Sequence, residues 1–93
     1  MTKADVIARI ASQTGLTKTD VREVVEGFLD SVRYSLKKDD PLEIRGFGTF
    51  SVVSRAPRKA RNPRTGDEVQ IPARKQPVFK PSRELKGLIG NKD

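Results

Sequence analysis

Hydrophobic residues recur at helical spacing over the first forty residues and divide this stretch into two helices. The pattern predicts a first helix from about Lys3 to Thr14, because its apolar positions lie three or four residues apart. Thr2 and Asp5 have the spacing of a capping box at its start, and Gly15 can adopt the left-handed conformation that ends a helix. The apolar positions are Val6, Ile7, Ile10 and Ala11.

A second helix is predicted to begin at Thr17–Asp20, which repeats the capping pattern, and to stop at Asp39–Pro41. Its apolar stripe extends over about five turns. The stripe consists of Val21, Val24, Val25, Phe28, Leu29, Val32 and Leu36. One short helix cannot cover so broad a face, and small chains often complete their core with a partner. Part of this core is therefore expected to belong to a second subunit.

The period changes from helical to alternating after Pro41. Leu42 and Ile44 alternate with charged residues, Gly46–Gly48 has the composition of a tight turn, and Phe50 and Val52 alternate again. This pattern predicts two antiparallel strands, with a third strand at Pro77–Lys80. A short final helix is predicted after Ser82, which is placed to cap it and is followed by apolar residues at Leu85, Leu88 and Ile89.

Residues 54–68 are too polar to anchor themselves in a core, since Ala56, Ala60 and two prolines are their only apolar residues. Strand-like alternation lies on both sides, and Pro63–Gly66 has the composition of a turn. We interpret the segment at about 55–75 as a long β-hairpin arm. The alternative is a disordered loop of about 15 residues, which is uncommon in a compact domain unless it is functional.

Composition narrows the chemistry of this 93-residue chain, which contains no His and no Cys. A Ser-His-Asp triad, a cysteine nucleophile and a Cys/His zinc site all lack their reactive groups. The acidic pairs Asp39–Asp40 and Asp67–Glu68 resemble solvated turn residues rather than a nuclease metal site. We therefore expect a protein without enzymatic activity, metal, cofactor or small-molecule substrate. No targeting signal or membrane span is recognisable, so a cytoplasmic location is expected.

Positive charge is concentrated in the second half of the chain. Residues 1–40 hold seven basic and seven acidic residues, whereas residues 55–80 hold eight basic and two acidic residues. A localised excess of one sign is typical of a surface that binds a polyanion, and nucleic acid is the commonest extended polyanion in a cell. The alternative is a solvated charged loop.

The arm combines arginines with a proline in its predicted turn. Guanidinium groups at Arg58, Arg61 and Arg64 can bind phosphates or enter a narrow minor groove. Pro63 is rigid and apolar, so it can act as a wedge that unstacks a base step and kinks the duplex. From these residues alone, a wedge and a simple turn former are equally good interpretations of Pro63.

Three runs of residues resemble the signature of the bacterial histone-like HU and integration host factor family. They are Gly46–Phe50, Arg55–Arg58 and Arg61–Gly66, and the resemblance extends over nearly the whole chain. It implies a single domain over residues 1–93, with a dimerisation part at 1–40, a sheet with the arm at 41–81, and a final helix and tail at 82–93. The implied fold is α+β, with two N-terminal helices, a three-stranded antiparallel sheet, the protruding arm and a short C-terminal helix in an intertwined dimer.

The resemblance also implies a function, namely binding and bending of double-stranded DNA in the bacterial nucleoid by two arms in the minor groove. The proline that matches Pro63 intercalates in that family, which favours the wedge. The implied DNA-binding residues are Lys3, Arg45, Arg55, Arg58, Lys59, Arg61, Asn62, Pro63, Arg64, Thr65, Arg74, Lys75, Lys80, Arg83 and Lys86. Lysines and arginines of the body among them would hold the bent flanks of the duplex.

The resemblance leaves two questions open and one alternative function. Leu42–Gly48 is similar to the β-subunit of integration host factor, where the arginine matching Arg45 helps sequence preference, whereas Ile71–Ala73 is more similar to HU. Sequence-tolerant and selective binding therefore both stay open. Whether the dimer is a homodimer or a heterodimer with a paralogue also stays open. An RNA-binding ribosomal-type protein would share the basic loop, but RNA readers usually expose aromatic side chains, and here these lie in patterned core segments.

Overall fold

The computed structural model describes residues 1–90. Its first helix, α1, extends over Lys3–Thr14, as predicted. The Thr2 hydroxyl accepts a hydrogen bond from the Asp5 amide at 3.2 Å, and the Asp5 carboxylate accepts one from the Thr2 amide at 2.9 Å. The helix ends at Gly15, whose φ of 80° is left-handed and whose amide donates to the Ala11 carbonyl. This capping box and glycine stop fix both ends of α1 from local sequence alone.

The second helix, α2, extends over Lys18–Lys37. The Thr17 hydroxyl accepts from the Asp20 amide at 3.0 Å, which satisfies one of the free amides of the first turn. The chain leaves α2 through a tight turn in which the amides of Lys38 and Asp40 donate to the Ser35 carbonyl. Asp39 adopts a φ of 58° in this turn, a conformation that aspartate tolerates better than most residues.

Within residues 1–90, five strands follow α2 and form two antiparallel sheets. The strands are β1 (Leu42–Ile44), β2 (Gly48–Arg55), β3 (Arg58–Arg61), β4 (Glu68–Ile71) and β5 (Arg74–Pro81). One sheet has the order β1-β2-β5, and β3 pairs with β4 in the other. All eight residues of β2 pair with β5, from Gly48 opposite Pro81 to Arg55 opposite Arg74. The predicted three-stranded sheet and hairpin arm are confirmed.

Gly46–Gly48 turns the chain tightly and lets an aromatic cluster form on one face of the three-stranded sheet. Gly46 has a φ of 81°, and the Phe47 amide donates to the Ile44 carbonyl. The ring of Phe79 lies 5.4 Å from that of Phe47 and 4.9 Å from that of Phe50. A Cβ atom at Gly48 would lie 2.6 Å from the Phe79 ring, so only glycine fits beneath this cluster.

The last helix, α3, extends over Arg83–Ile89 and is capped by Ser82, as predicted. The Ser82 hydroxyl accepts from the Leu85 amide at 3.0 Å, and the Ser82 amide donates to the Phe47 carbonyl at 2.8 Å. The second bond ties the start of α3 to the turn after β1. The tail predicted beyond Gly90 lies outside the described residues.

The chain forms two compact units, of which one is Met1–Tyr34 and the other begins at Ser35. Ile7 and Val21 are the only fully buried apolar side chains among residues 1–90. Larger apolar side chains stay exposed in both units, for example Val24 and Phe28 in the first and Phe47 and Phe79 in the second. This small core leaves much apolar surface uncovered; the dimer and the division of the domain at residue 40 stay predictions.

Candidate nucleic-acid interface

The tip of the arm is a turn shaped by its own polar side chains. Asn62 Oδ1 accepts from the Arg64 amide at 2.8 Å, and the Thr65 hydroxyl accepts from the Asp67 amide at 3.2 Å. The Gly66 amide donates to the Asn62 carbonyl at 2.7 Å, and its φ of 78° explains the need for glycine. The structure thus gives the predicted DNA-binding residues Asn62 and Thr65 a role in the turn itself.

Pro63 is exposed at the start of this turn. A wedge must be exposed, as Pro63 is. A turn former must lie in the turn, as Pro63 also does. The structure is compatible with both interpretations, and the intercalating role stays a prediction.

Basic side chains lie on both faces of the arm, because successive residues of a strand point to opposite sides. Arg58 lies opposite Ile71 on one face, and Lys59 lies opposite Gln70 on the other. Arg61 donates from Nη1 to the Gly66 carbonyl at 2.8 Å, which holds its guanidinium over the turn. The arm therefore presents cationic groups to both walls of any groove that it enters.

The three-stranded sheet has one apolar and one polar face. Its register places Arg55, Arg74 and Lys80 on the polar face, opposite to the phenylalanine cluster. Lys75 lies on the other face of β5, where its ammonium is 3.6 Å from the Asp39 carboxylate. The structure thus places three of the predicted residues on one face of the sheet and Lys75 on the other.

A cleft of about 290 Å³ lies where the polar face meets the arm. Arg55, Arg58 and Arg74 line it, together with Gln76 and Ile71. Gln76 Oε1 accepts from Arg55 Nε at 3.0 Å. The sequence analysis did not select Gln76, although counting back in twos from Lys80 along β5 would have placed it on the same face.

The remaining predicted residues lie apart from this cleft. Lys3 belongs to the unit Met1–Tyr34, called the helical unit below, where its ammonium pairs with the Glu26 carboxylate at 2.5 Å. This hydrogen bond and the charge of Lys3 lower the pKa of Glu26 below its usual value of 4.5. Arg45 and Lys80 both line a broad depression of the sheet. Arg83 and Lys86 are exposed on α3.

All twelve basic side chains of the predicted interface are exposed. Four of them have a partner, as described above for Lys3, Arg55, Arg61 and Lys75. The others make no hydrogen bond or ion pair with residues 1–90; they are Arg45, Arg58, Lys59, Arg64, Arg74, Lys80, Arg83 and Lys86. Exposed cations without a protein partner are available to an anionic ligand, and their number suits an extended one.

Two other kinds of site are missing from the part of the chain that the structure describes. Within residues 1–90, no three His, Cys, Asp or Glu side chains are grouped so that they could hold a metal ion. None of the three described helices combines the length and the apolar character that crossing a membrane requires.

Comparison with known proteins agrees with this surface. The family of bacterial DNA-binding proteins matches residues 1–90. The DNA-binding protein HU of Geobacillus stearothermophilus is 44% identical over 89 residues, which are 96% of this chain and 99% of that protein. HU 1 of Bacillus subtilis is 40% identical over 92 residues, which are 99% of this chain and 100% of that protein. The structure of Anabaena HU in a cocrystal with DNA superposes with a TM-score of 0.91 at 25% identity, and covers 99% of this chain and all of that one.

Proposed function

This chain belongs to the family of bacterial DNA-binding proteins, and we propose that it is an architectural protein that binds double-stranded DNA. The observation that carries the proposal is the set of eight exposed, unpartnered cations on the arm, on the three-stranded sheet with its first turn, and on α3. Phosphate contacts from such cations position a protein on a duplex without reading its sequence. The relatives give no support to an RNA-binding ribosomal protein.

We propose further that the arm enters the minor groove. A two-stranded ribbon with cations on both faces can contact the two phosphate strands that flank a groove, whereas a ribbon with one charged face could contact only one. Arg58 and Lys59 point to opposite faces of β3, as this mode requires. Pro63 then lies at the end of the ribbon that goes deepest, where it can open a base step and kink the duplex.

The binding unit that we propose is a homodimer. Val24 is 69% exposed and Phe28 45% exposed along a groove between the two helices that contains almost no polar surface. Exposed apolar patches of this kind mark protein interfaces. A second copy of the chain would cover them and supply a second arm, so that one duplex is held at two points and bent between them.

This function needs no catalytic group. The matched family is one of DNA-binding proteins, and we propose that this chain acts by binding and shaping DNA without enzymatic activity, cofactor or small-molecule substrate. A protein with this function belongs on the chromosome, and we propose the bacterial nucleoid as its location.

The proposed function is tested by fluorescence anisotropy with four ligands of equal length, namely linear DNA, nicked DNA, duplex RNA and single-stranded DNA, at two salt concentrations. We expect tighter binding to both duplex DNAs than to RNA, with the nicked duplex preferred because a nick is easier to kink. For B-DNA, the slope of log affinity against log salt should be about −0.9 per neutralised phosphate. Equal affinity for duplex RNA, or affinity insensitive to salt, would contradict the proposal.

A further inference from the structure

Two arginines lie opposite each other at the end of the three-stranded sheet, where the chain continues into the arm. Arg55 ends β2 and Arg74 begins β5, and the two are direct cross-strand partners. Like charges directly opposite in a sheet repel each other and destabilise the pairing. Neither has an acidic partner among the described residues. Arg58 lines the same cleft and adds a third positive charge to it.

Gln76 is a neutral side chain that lines the same cleft. It is half-buried, whereas the three arginines are exposed, and its Oε1 accepts from Arg55 Nε at 3.0 Å. A guanidinium has five N–H donors, so this bond uses the Nε donor and leaves the four on the terminal nitrogens. The bond also fixes the plane of the guanidinium, because Arg55 can rotate only by breaking it. A glutamine in this position orients the arginine without neutralising it.

We propose that Gln76 is a positioning residue that holds Arg55 so that Arg55 and Arg74 together clamp one phosphate of the bound DNA in this cleft. A phosphate between the two guanidinium groups accepts hydrogen bonds from both and removes their repulsion. The clamp lies at the root of the arm, so it fixes the direction in which the arm leaves the sheet. The inference rests on the proposed function, since the phosphate belongs to the duplex that the arm embraces.

The test compares Gln76→Met with Gln13→Met, because methionine keeps the length of glutamine but removes the acceptor. Gln13 also accepts a hydrogen bond from an arginine, Arg9 Nη1 at 3.1 Å, but it belongs to α1 and not to the predicted DNA-binding residues. We expect Gln76→Met to weaken binding to a linear duplex roughly three- to tenfold, the range expected when one typical hydrogen bond is lost. Gln13→Met should bind like the wild type.

A double-mutant cycle with Arg55→Ala separates positioning from a general structural role. If Gln76 acts through Arg55, Gln76→Met has no further effect on affinity once Arg55 is absent. A merely structural role would lower the affinity and the melting temperature in both backgrounds. Gln76→Glu provides a second variant, because it keeps an acceptor for Arg55 but places a negative charge in the cleft. We expect it to melt at or above the wild-type temperature, because the carboxylate relieves the repulsion between the arginines, and to bind DNA more weakly.

The source of the phosphate is tested by thermal melting in inorganic phosphate and in chloride at matched ionic strength. Two results together would overturn the proposal: inorganic phosphate raises the melting temperature of the wild type but not of Gln76→Met, and Gln76→Met binds DNA like the wild type. The cleft would then be a site for a free anion. An equal loss of affinity from Gln76→Met with and without Arg55 would also overturn it. If the wild-type protein fails to bind any duplex, the proposed function fails first; if it binds and Gln76→Met matches it, only this inference fails.

Discussion

The helical unit and the arm are incomplete in opposite ways. Along the groove between α1 and α2, apolar side chains such as Val24 and Phe28 are exposed, and residues 1–34 carry five basic and five acidic residues. The arm exposes mainly cations, and only Ala60 and Ile71 in its strands are even half-buried. Contact with water is unfavourable for the apolar groove. The cationic arm is well solvated, but its like charges repel each other.

The two surfaces need different kinds of partner. An apolar, charge-balanced groove is stabilised by another apolar protein surface, and a second copy of the same chain provides one. A cationic ribbon without a core gains nothing from such a contact and is stabilised by a polyanion. Assembly and DNA binding should therefore respond to different substitutions and to different solution conditions.

The largest effect is expected from placing a charge in the groove. Phe28→Glu should raise the dissociation constant of the dimer roughly a hundredfold, in the range found for central aromatic residues of interfaces. Val69→Glu is the matched control, since Val69 lies on the arm and is 44% exposed against 45% for Phe28. Sedimentation equilibrium measures both. If the wild-type chain sediments as a folded monomer at micromolar concentration, the groove between α1 and α2 is not a dimer interface.

The next effect concerns the charges of the arm. Arg58→Ala and Arg61→Ala should each reduce the salt dependence of DNA affinity by about one unit of the log–log slope, because each removes one phosphate contact. Arg9→Ala removes the same charge from the helical unit, where Arg9 donates to Gln13, and should leave the slope unchanged. Equal changes for all three variants would place the DNA on a different surface.

Mobility should differ between the two regions in the absence of DNA. The arm buries little apolar surface, so its amides at residues 56–72 should open easily. We expect NMR order parameters below about 0.6 there and near 0.85 in α1 and α2. Saturation with a DNA duplex should raise the values of the arm and leave those of the helices unchanged. An arm as rigid as the helices in the free protein would show that it does not need DNA for order.

The smallest effect comes from the ion pair of the helical unit. Lys3 depresses the pKa of Glu26 in the folded state, so the pair stabilises the fold above pH 4.5. This contribution falls as the pH decreases from 4.5 through the lowered pKa. Thermal melting of the wild type and Glu26→Gln should therefore differ slightly at pH 7 and converge once the pH falls below the lowered pKa of Glu26. A difference that persists at low pH would show that Glu26 acts by other means.

Local signals made the elements of this fold predictable. Thr2, Thr17 and Ser82 cap the three helices, and Gly46 and Gly66 supply the left-handed conformations of two turns. Each of these effects depends on residues at most four positions apart in the chain. The sequence therefore predicted the helices, the three-stranded sheet and the arm without any knowledge of tertiary contacts.

Pairings between distant residues were beyond the sequence. The bond from Arg55 to Gln76 and the pair of Lys3 with Glu26 join residues more than twenty positions apart. The alternation of β5 was visible, but only its register with β2 shows that Arg74 shares a face with Arg55 while Lys75 does not. Charge counts identified the cationic region, and the register was needed to resolve it into faces and a cleft.

Bending of DNA by the arms can be measured by energy transfer between dyes at the two ends of a short duplex. Wild-type protein at saturation should increase the transfer. Pro63→Ala should increase the transfer less and keep nearly the same salt slope, because no charge is lost. It should lose more affinity for intact than for nicked DNA, because a nicked duplex is easier to kink and needs the wedge less. Unchanged transfer with the wild type bound would contradict the account, and equal bending by the variant would leave Pro63 as a turn former.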